Sequence, residues 1–250
     1  MMLFISTLSF CSPVKVGVVV SGLPVSEKVN TDQGIYYFGF CIDFMNEVCK
    51  RIEKKCTYSE VTYDNQFELL EQGKIDLLIL PRPYTSSDSE KYAISIPYAV
   101  SKMQFITLKD SSINKIADIK NKKIGAIKST FYNLLTQTPF YLSNQIIAYN
   151  IDSDLISDLV QQKTDVIALN NNIAYKLIVN NYYGIKLIEP ALPMGDGYGI
   201  IALPDKKALI ENINKEILSI EKDGSYISIY QKYYDTERQG RRNAETRKSL

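Results

Sequence analysis

The chain has 250 residues, 29 basic and 28 acidic side chains, a formal net charge of +1, and no histidine or tryptophan. That length suits one large domain or two lobes of about 100–120 residues with cores of their own. The missing histidine excludes Ser-His-Asp and Cys-His catalysis, His-ligated zinc or haem and an imidazole switch, and the balanced charge gives no global pull toward nucleic acid or anionic lipid, which leaves a binding protein, a carboxylate- or lysine-based enzyme, or a structural protein.

Residues 1–12 are signal-like. The run MMLFISTLSF precedes Cys11-Ser12-Pro13, and it is shorter than the roughly 20 residues that a bilayer span takes. It reads as the end of a secretory signal with small residues near a cut site. Leu8-Ser9-Phe10-Cys11 partly resembles a lipoprotein cleavage box, but Phe10 is bulky where a small residue is needed. An exported protein is therefore expected, with a lipid anchor at Cys11 as the less favoured alternative.

Residues 14–20 (VKVGVVV) form a continuous β-branched run, the pattern of a buried parallel strand. Residues 40–51 space their apolar side chains as a helix does, and 57–62 is strand-like. Residues 67–72 are helical up to Gly73, a C-cap position, and 75–80 (IDLLIL) is a second buried strand. Further strands are expected at 104–108, 123–127, 146–149 and 165–169. Helices are expected from about 129–130 and over 152–162 and 173–180. An extended segment at 198–203 precedes a long amphipathic helix at 206–223, closed by Gly224, and a last helix at 226–234.

Residues 15–80 and 123–169 share one plan: strand, helix, strand, helix, a short turn (Gly73-Lys-Ile-Asp76 or Gln162-Lys-Thr-Asp165), then an apolar strand. The fold class is thus α/β, with two similar lobes. In open α/β sheets ligands sit beyond the carboxyl ends of the strands. Residues 237–250 carry five basic side chains against Glu237 and Glu245, so the tail is net +3 and the rest net −2. With almost no apolar residues it is expected to be a disordered tail.

Cys49 closes the first helix and Cys56 opens the next strand. Such a turn brings two cysteines within disulfide range, and export permits the bond. A disulfide is favoured over two buried thiols, with Cys41 left unpaired.

Several segments, in order and spacing over about residues 14–235, resemble one family. They are Gly39-Phe40-Cys41-Ile42-Asp43, Asn46-Glu47-Val48-Cys49-Lys50-Arg51, Lys54-Lys55-Cys56-Thr57, Gly73-Lys74-Ile75-Asp76, Ser95-Ile96-Pro97-Tyr98, Lys123-Ile124-Gly125, Gly195-Asp196-Gly197-Tyr198-Gly199, and Asp223-Gly224-Ser225-Tyr226 with Lys232-Tyr233-Tyr234. The chain is similar to the extracellular solute-binding proteins, family 3, of amino-acid ABC importers, and most to the histidine and lysine/arginine/ornithine binding proteins. The resemblance implies a type II periplasmic binding protein, a venus flytrap. Lobe 1 would be 13–101 plus 196–236 and lobe 2 would be 102–195, with two crossing hinge strands. It also implies the Cys49–Cys56 disulfide, an inner-membrane permease as partner, a small-molecule ligand, no cofactor or metal, no nucleic acid, and a monomer. Ligand closes such lobes, and the partner prefers the closed form.

The ligand site departs from that family. The resemblance implies an arginine, three residues after a threonine, that takes the ligand's carboxylate through two parallel hydrogen bonds. Here the threonine is Thr85 and the arginine's place holds Asp88. Leu80, Pro81 and Pro83 stand where small hydroxyl residues belong, and the prolines remove backbone donors. Asn170 replaces the aspartate that takes the ammonium. Val19 and Gly22 replace an acidic and an aromatic residue on the first strand's loop. Tyr63 retains a ligand-stacking aromatic, and Thr130 and Phe131 begin a helix whose amides favour an anion, with Lys128 just before them. Arg82 is a candidate replacement guanidinium. Each position also has a bland account: Asp88 as a surface carboxylate at a helix start, Arg82 reaching to solvent, Tyr63 as packing, Asn170-Asn171-Asn172 as turn chemistry.

The expected function is a solute-binding component of an ABC importer that anchors an amino-acid-like solute differently. A dehydratase-like enzyme using Asp88 or Glu90 as acid or base, and a ligand-sensing domain without transport, are the alternatives.

Overall fold

The computed structural model describes residues 12–80, 82–179 and 184–234. The signal-like segment up to Cys11, Pro81 and the basic tail lie outside the described residues. The strands are β1 (Val14–Val19), β2 (Glu27–Thr31), β3 (Gly34–Phe38), β4 (Cys56–Val61), β5 (Leu77–Ile79), β6 (Ala93–Ile94), β7 (Lys102–Leu108), β8 (Lys123–Ile127), β9 (Gln145–Tyr149), β10 (Val166–Asn170), β11 (Ile185–Pro193) and β12 (Ile200–Ala202).

Contacts divide the chain into two compact units. Among the described residues, the first holds 12–79, 92–95 and 200–234, and the second holds 80–91 and 96–199. In the first unit the sheet order is β4-β1-β5-β12-β6, with β1 parallel to β4 and β5, and β12 antiparallel to β5 and β6. The second unit repeats the order as β9-β8-β10-β7-β11, with β8 parallel to β9 and β10, and β7 antiparallel to β10 and β11. Residues 80–91, 96–101 and 196–199, expected in the first lobe, fall by these contacts in the second unit. Here Tyr84 donates its N–H to the Gly197 carbonyl at 2.9 Å, and Tyr84's carbonyl accepts from the Asp196 N–H at 3.2 Å, both within the second unit.

The core of the first unit forms because the apolar runs of β1 and β5 are buried on both faces, as in a covered parallel strand. Helix Phe40–Arg51 turns Phe40, Phe44, Met45 and Val48 inward. It packs on helices Lys207–Lys222 and Ser225–Tyr234. The Phe40 ring meets Tyr226, Tyr230 and Tyr234 edge-on at 5.9, 6.0 and 5.5 Å, the favoured aromatic geometry. Arg51 binds Glu47, Ser219, Ser225 and Asp223, which ties the three helices together. Cys49 and Cys56 are joined by a disulfide, their Cα atoms 6.0 Å apart, and Cys41 is buried outside it.

Three elements go beyond the periodicity. The hairpin β2–β3 is largely exposed on both strands, so it carries no clean alternation. The edge strand β11 contains Pro190 and Pro193 and an irregularity between Ile188 and Leu192. An edge strand tolerates proline because only one side of its backbone is paired. The helix expected from 129–130 begins instead with a wide turn, Lys128–Tyr132, whose hydrogen bonds skip one residue more than an α-helix, followed by Asn133–Leu135.

Candidate ligand site

Within each unit candidate residues lie at or beyond the carboxyl ends of parallel strands, the region where open α/β sheets bind ligands. In the second unit β8 runs directly into the wide turn. Lys128 is exposed there, and the half-buried Thr130 donates its hydroxyl to the Ile127 carbonyl at 3.3 Å. Phe131 is 1% exposed and packs into the core with Met103, Phe105 and Leu135. Wide turns of this kind recur at functional sites.

The neighbouring strand β10 ends at Asn170. Ala168 pairs with Ala126, so Asn170 and Lys128 each lie two residues beyond that pair on adjacent strands. The Asn170 amide donates to the Tyr198 hydroxyl at 3.0 Å, and its oxygen accepts the Asn172 N–H at 2.9 Å. The turn chemistry read from Asn170-Asn171-Asn172 is present, with a longer-range bond added. Tyr198 itself is not among the candidates named from sequence, although it stands in the Gly195–Gly199 segment that carries the resemblance.

The chain leaves β5 through Leu80, which is 1% exposed, and reaches helix Ser86–Lys91 by way of Arg82, Pro83 and Thr85. Asp88 is 7% exposed and saturated with donors. Arg82 grips it at two points, Nη1 to Oδ2 at 2.7 Å and Nη2 to Oδ1 at 2.8 Å. The Thr85 N–H and hydroxyl donate to Oδ2 at 2.9 and 3.0 Å. Thr85 thus starts the helix with Asp88 reaching back to its N–H, half of a capping box. Arg82 also donates to the Pro83 carbonyl at 2.9 Å. Burial alone pushes the Asp88 carboxyl up, but the Arg82 hydrogen bonds and charge, with the Thr85 donors, outweigh it and hold the group below its ordinary value.

The segment Gly195–Gly199 draws these pieces together. Gly197 receives Tyr84's N–H and Tyr198 receives Asn170's amide, so one stretch of backbone connects the Arg82–Asp88 loop to the end of β10. Gly195 has φ +70°, and a Cβ there would lie 2.6 Å from Pro83 Cβ, so only glycine permits this approach. In the first unit, Val19 at the end of β1 is 6% exposed, and Gly22 has φ +85°. Tyr63 is half-buried in a turn where its carbonyl accepts from Gln66 Nε2 at 3.1 Å.

Residues 14–236 match the family model of the bacterial extracellular solute-binding proteins, family 3. The chain belongs to that family. It is 26% identical over 215 residues to ABC transporter arginine-binding protein 1 of Escherichia coli, covering 84% of this chain and 86% of the relative. To the lysine/arginine/ornithine-binding periplasmic protein of the same organism it is 26% identical over 230 residues, 89% of this chain and 87% of that one. Among solved structures, an arginine 3rd transport system periplasmic binding protein from Legionella pneumophila superposes with a TM-score of 0.75 and 30% identity, covering 89% of this chain and 99% of that chain. The fold is that of the type II periplasmic binding proteins. No helix among the described residues is long and apolar enough to cross a membrane.

Proposed function

We propose that this chain is the solute-binding component of an amino-acid ABC importer whose ligand is not anchored as an ordinary zwitterion. In this reading residues 13–101 plus 196–236 and residues 102–195 are the two lobes, and they close around a small amino-acid-like solute. The protein is exported to the periplasm by its signal-like segment, acts as a monomer, and delivers its solute to an inner-membrane permease. It binds and does not catalyse. The family, and relatives named for arginine and for lysine/arginine/ornithine, support the amino-acid-like solute. The altered anchoring rests on one observation, the two-point Arg82–Asp88 ion pair at the end of β5.

A thermal-shift screen of the full chain with amino acids, their amides, polyamines, organic acids and sugars tests this. A ligand at 100 times its Kd stabilises by about 2.7 kcal/mol, a rise of roughly 5–10 °C at this size. A hit outside the free arginine, lysine and histidine set is expected. Tight calorimetric binding of any of those three overturns the altered anchoring, and turnover of prephenate or arogenate overturns the binding role.

A further inference from the structure

Carboxylate recognition by two parallel N–H···O bonds needs the planar fork of an arginine. Ahead of the basic tail the chain has only two, Arg51 and Arg82. Arg51 lies in the helix layer of the first unit and is held by Glu47, Asp223 and two serine hydroxyls. Arg82 is the sole arginine of the second unit, and Asp88 already takes its fork at 2.7 and 2.8 Å. Asp88 in turn is fixed from the other side by the Thr85 N–H and hydroxyl. It reaches back to the helix start at Thr85 from the third helical position and cannot swing aside without losing those bonds. At the end of β10 Asn170 is neutral, with both ends of its amide bonded, and the charge beside it is the single ammonium of Lys128, which has no planar fork.

We infer, on the basis that the chain is a solute-binding protein, that Asp88 is a specificity-determining residue. By occupying the second unit's only guanidinium, it withdraws that group from carboxylate recognition and selects solutes whose anchored end is uncharged. An amino-acid amide has this character and the free acid does not. A free carboxylate entering beside Arg82 meets an Nη1–Nη2 fork already held by Asp88 and the negative charge of Asp88 itself, so the residue that pairs with Arg82 also repels the wrong ligand.

The test compares matched probes by calorimetry on the full chain: L-lysine with L-lysinamide, L-phenylalanine with its amide, and L-glutamine with its α-amide. The variants are Asp88→Asn, whose side-chain oxygen still accepts the Thr85 N–H, and Asp88→Ser, which serves if the first fails to unfold cooperatively on heating. The wild type is expected to bind at least one amide tenfold or more tighter than its acid, and the variant to move that ratio tenfold or more toward the acid. If the wild type binds neither form, acid binding gained in the variant supports the inference and its absence overturns it. A wild type that binds an acid as tightly as its amide overturns the inference too. Loss of that acid affinity in Lys128→Met would then assign the carboxylate to Lys128. The solute-binding basis fails separately, when no compound of the broader screen shifts the wild type.

Discussion

The two sheets begin alike and end differently. In the first unit the turn after helix Gln66–Glu71 places Gly73 at φ +66°, and Lys74 donates its N–H to the Leu69 carbonyl at 3.0 Å. Asp76 then accepts the Lys15 N–H at 2.8 Å and returns its own N–H to the Lys15 carbonyl at 2.7 Å. In the second unit Gln162 stands at φ +57°, Lys163 donates to Asp158 at 2.8 Å, and Asp165 exchanges the same two bonds with Lys123 at 2.7 and 3.0 Å. At the carboxyl ends this likeness stops. β5 leads into a proline-bordered ion pair, β10 into an asparagine turn, and β8 into a wide turn. The strand starts are built to pair the parallel strands, a task both units share. The strand ends are free of that task, so their residues carry the differences between the units.

Arg82→Leu bears hardest on the strand ends, because it leaves the nearly buried Asp88 carboxylate without its partner. A loss of about 3 kcal/mol is expected in chemical unfolding, and Arg82→Lys should recover only part of it. Next comes the connection from helix to edge strand, which the units solve by different means. In the first it is the Cys49–Cys56 disulfide. In the second it is Asn144, which donates to the Ile119 and Phe140 carbonyls and accepts the Lys122 N–H. Replacing both cysteines by alanine should cost about 2–3 kcal/mol under oxidising conditions, and nothing further when wild type and variant are compared after reduction.

The shared strand starts give smaller effects. Asp76→Asn and Asp165→Asn should each cost about 1.5–2 kcal/mol, the low end of the scale for a hydrogen bond to a charged group. A cost at one site and none at the other would break the equivalence. For Asp76 the pH dependence has a definite sign. Burial pushes its carboxyl up, but the Lys206 ammonium and the Lys15 N–H outweigh that and hold it below its ordinary value. Its contribution is therefore whole above the unfolded value near 3.9 and disappears as pH falls from there through the folded value. Asp76→Asn should flatten that acid limb in denaturation measured across pH 2–5. The smallest effect compares the turns. Gly73→Ala should cost about 1 kcal/mol although space is open there, while Gln162→Gly should gain about 0.5–1 kcal/mol by relieving left-handed backbone.

Much of this was legible from residues alone. The apolar runs at 14–20, 75–80 and 165–169 hold the buried strands β1, β5 and β10, because a strand covered on both faces needs no polar alternation. The hairpin β2–β3 and edge strand β11 escaped, since exposure blurs one pattern and proline interrupts the other. At the site, Arg82 and Asp88 each stand out in the sequence, but as separate candidates with separate bland accounts. Their two-point pairing joins a loop residue to a helix residue six positions on, a geometry that no periodicity encodes. Phe131, singled out beside Thr130, lies in the core because the wide turn rotates it inward.

By itself, the amino-acid order determined the α/β class, the doubled strand–helix plan, the exclusion of histidine chemistry and the departures at Val19, Leu80, Pro83, Asp88 and Asn170. These follow from local periodicity and residue chemistry, which act over a few residues. Only the tertiary structure decided which groups meet across long separations. It is why Tyr198 answers Asn170 from 28 residues away and why Gly195 must lie against Pro83. It also decided that the one arginine of the second unit is already occupied, because hydrogen-bond partners are settled by packing and not by spacing along the chain.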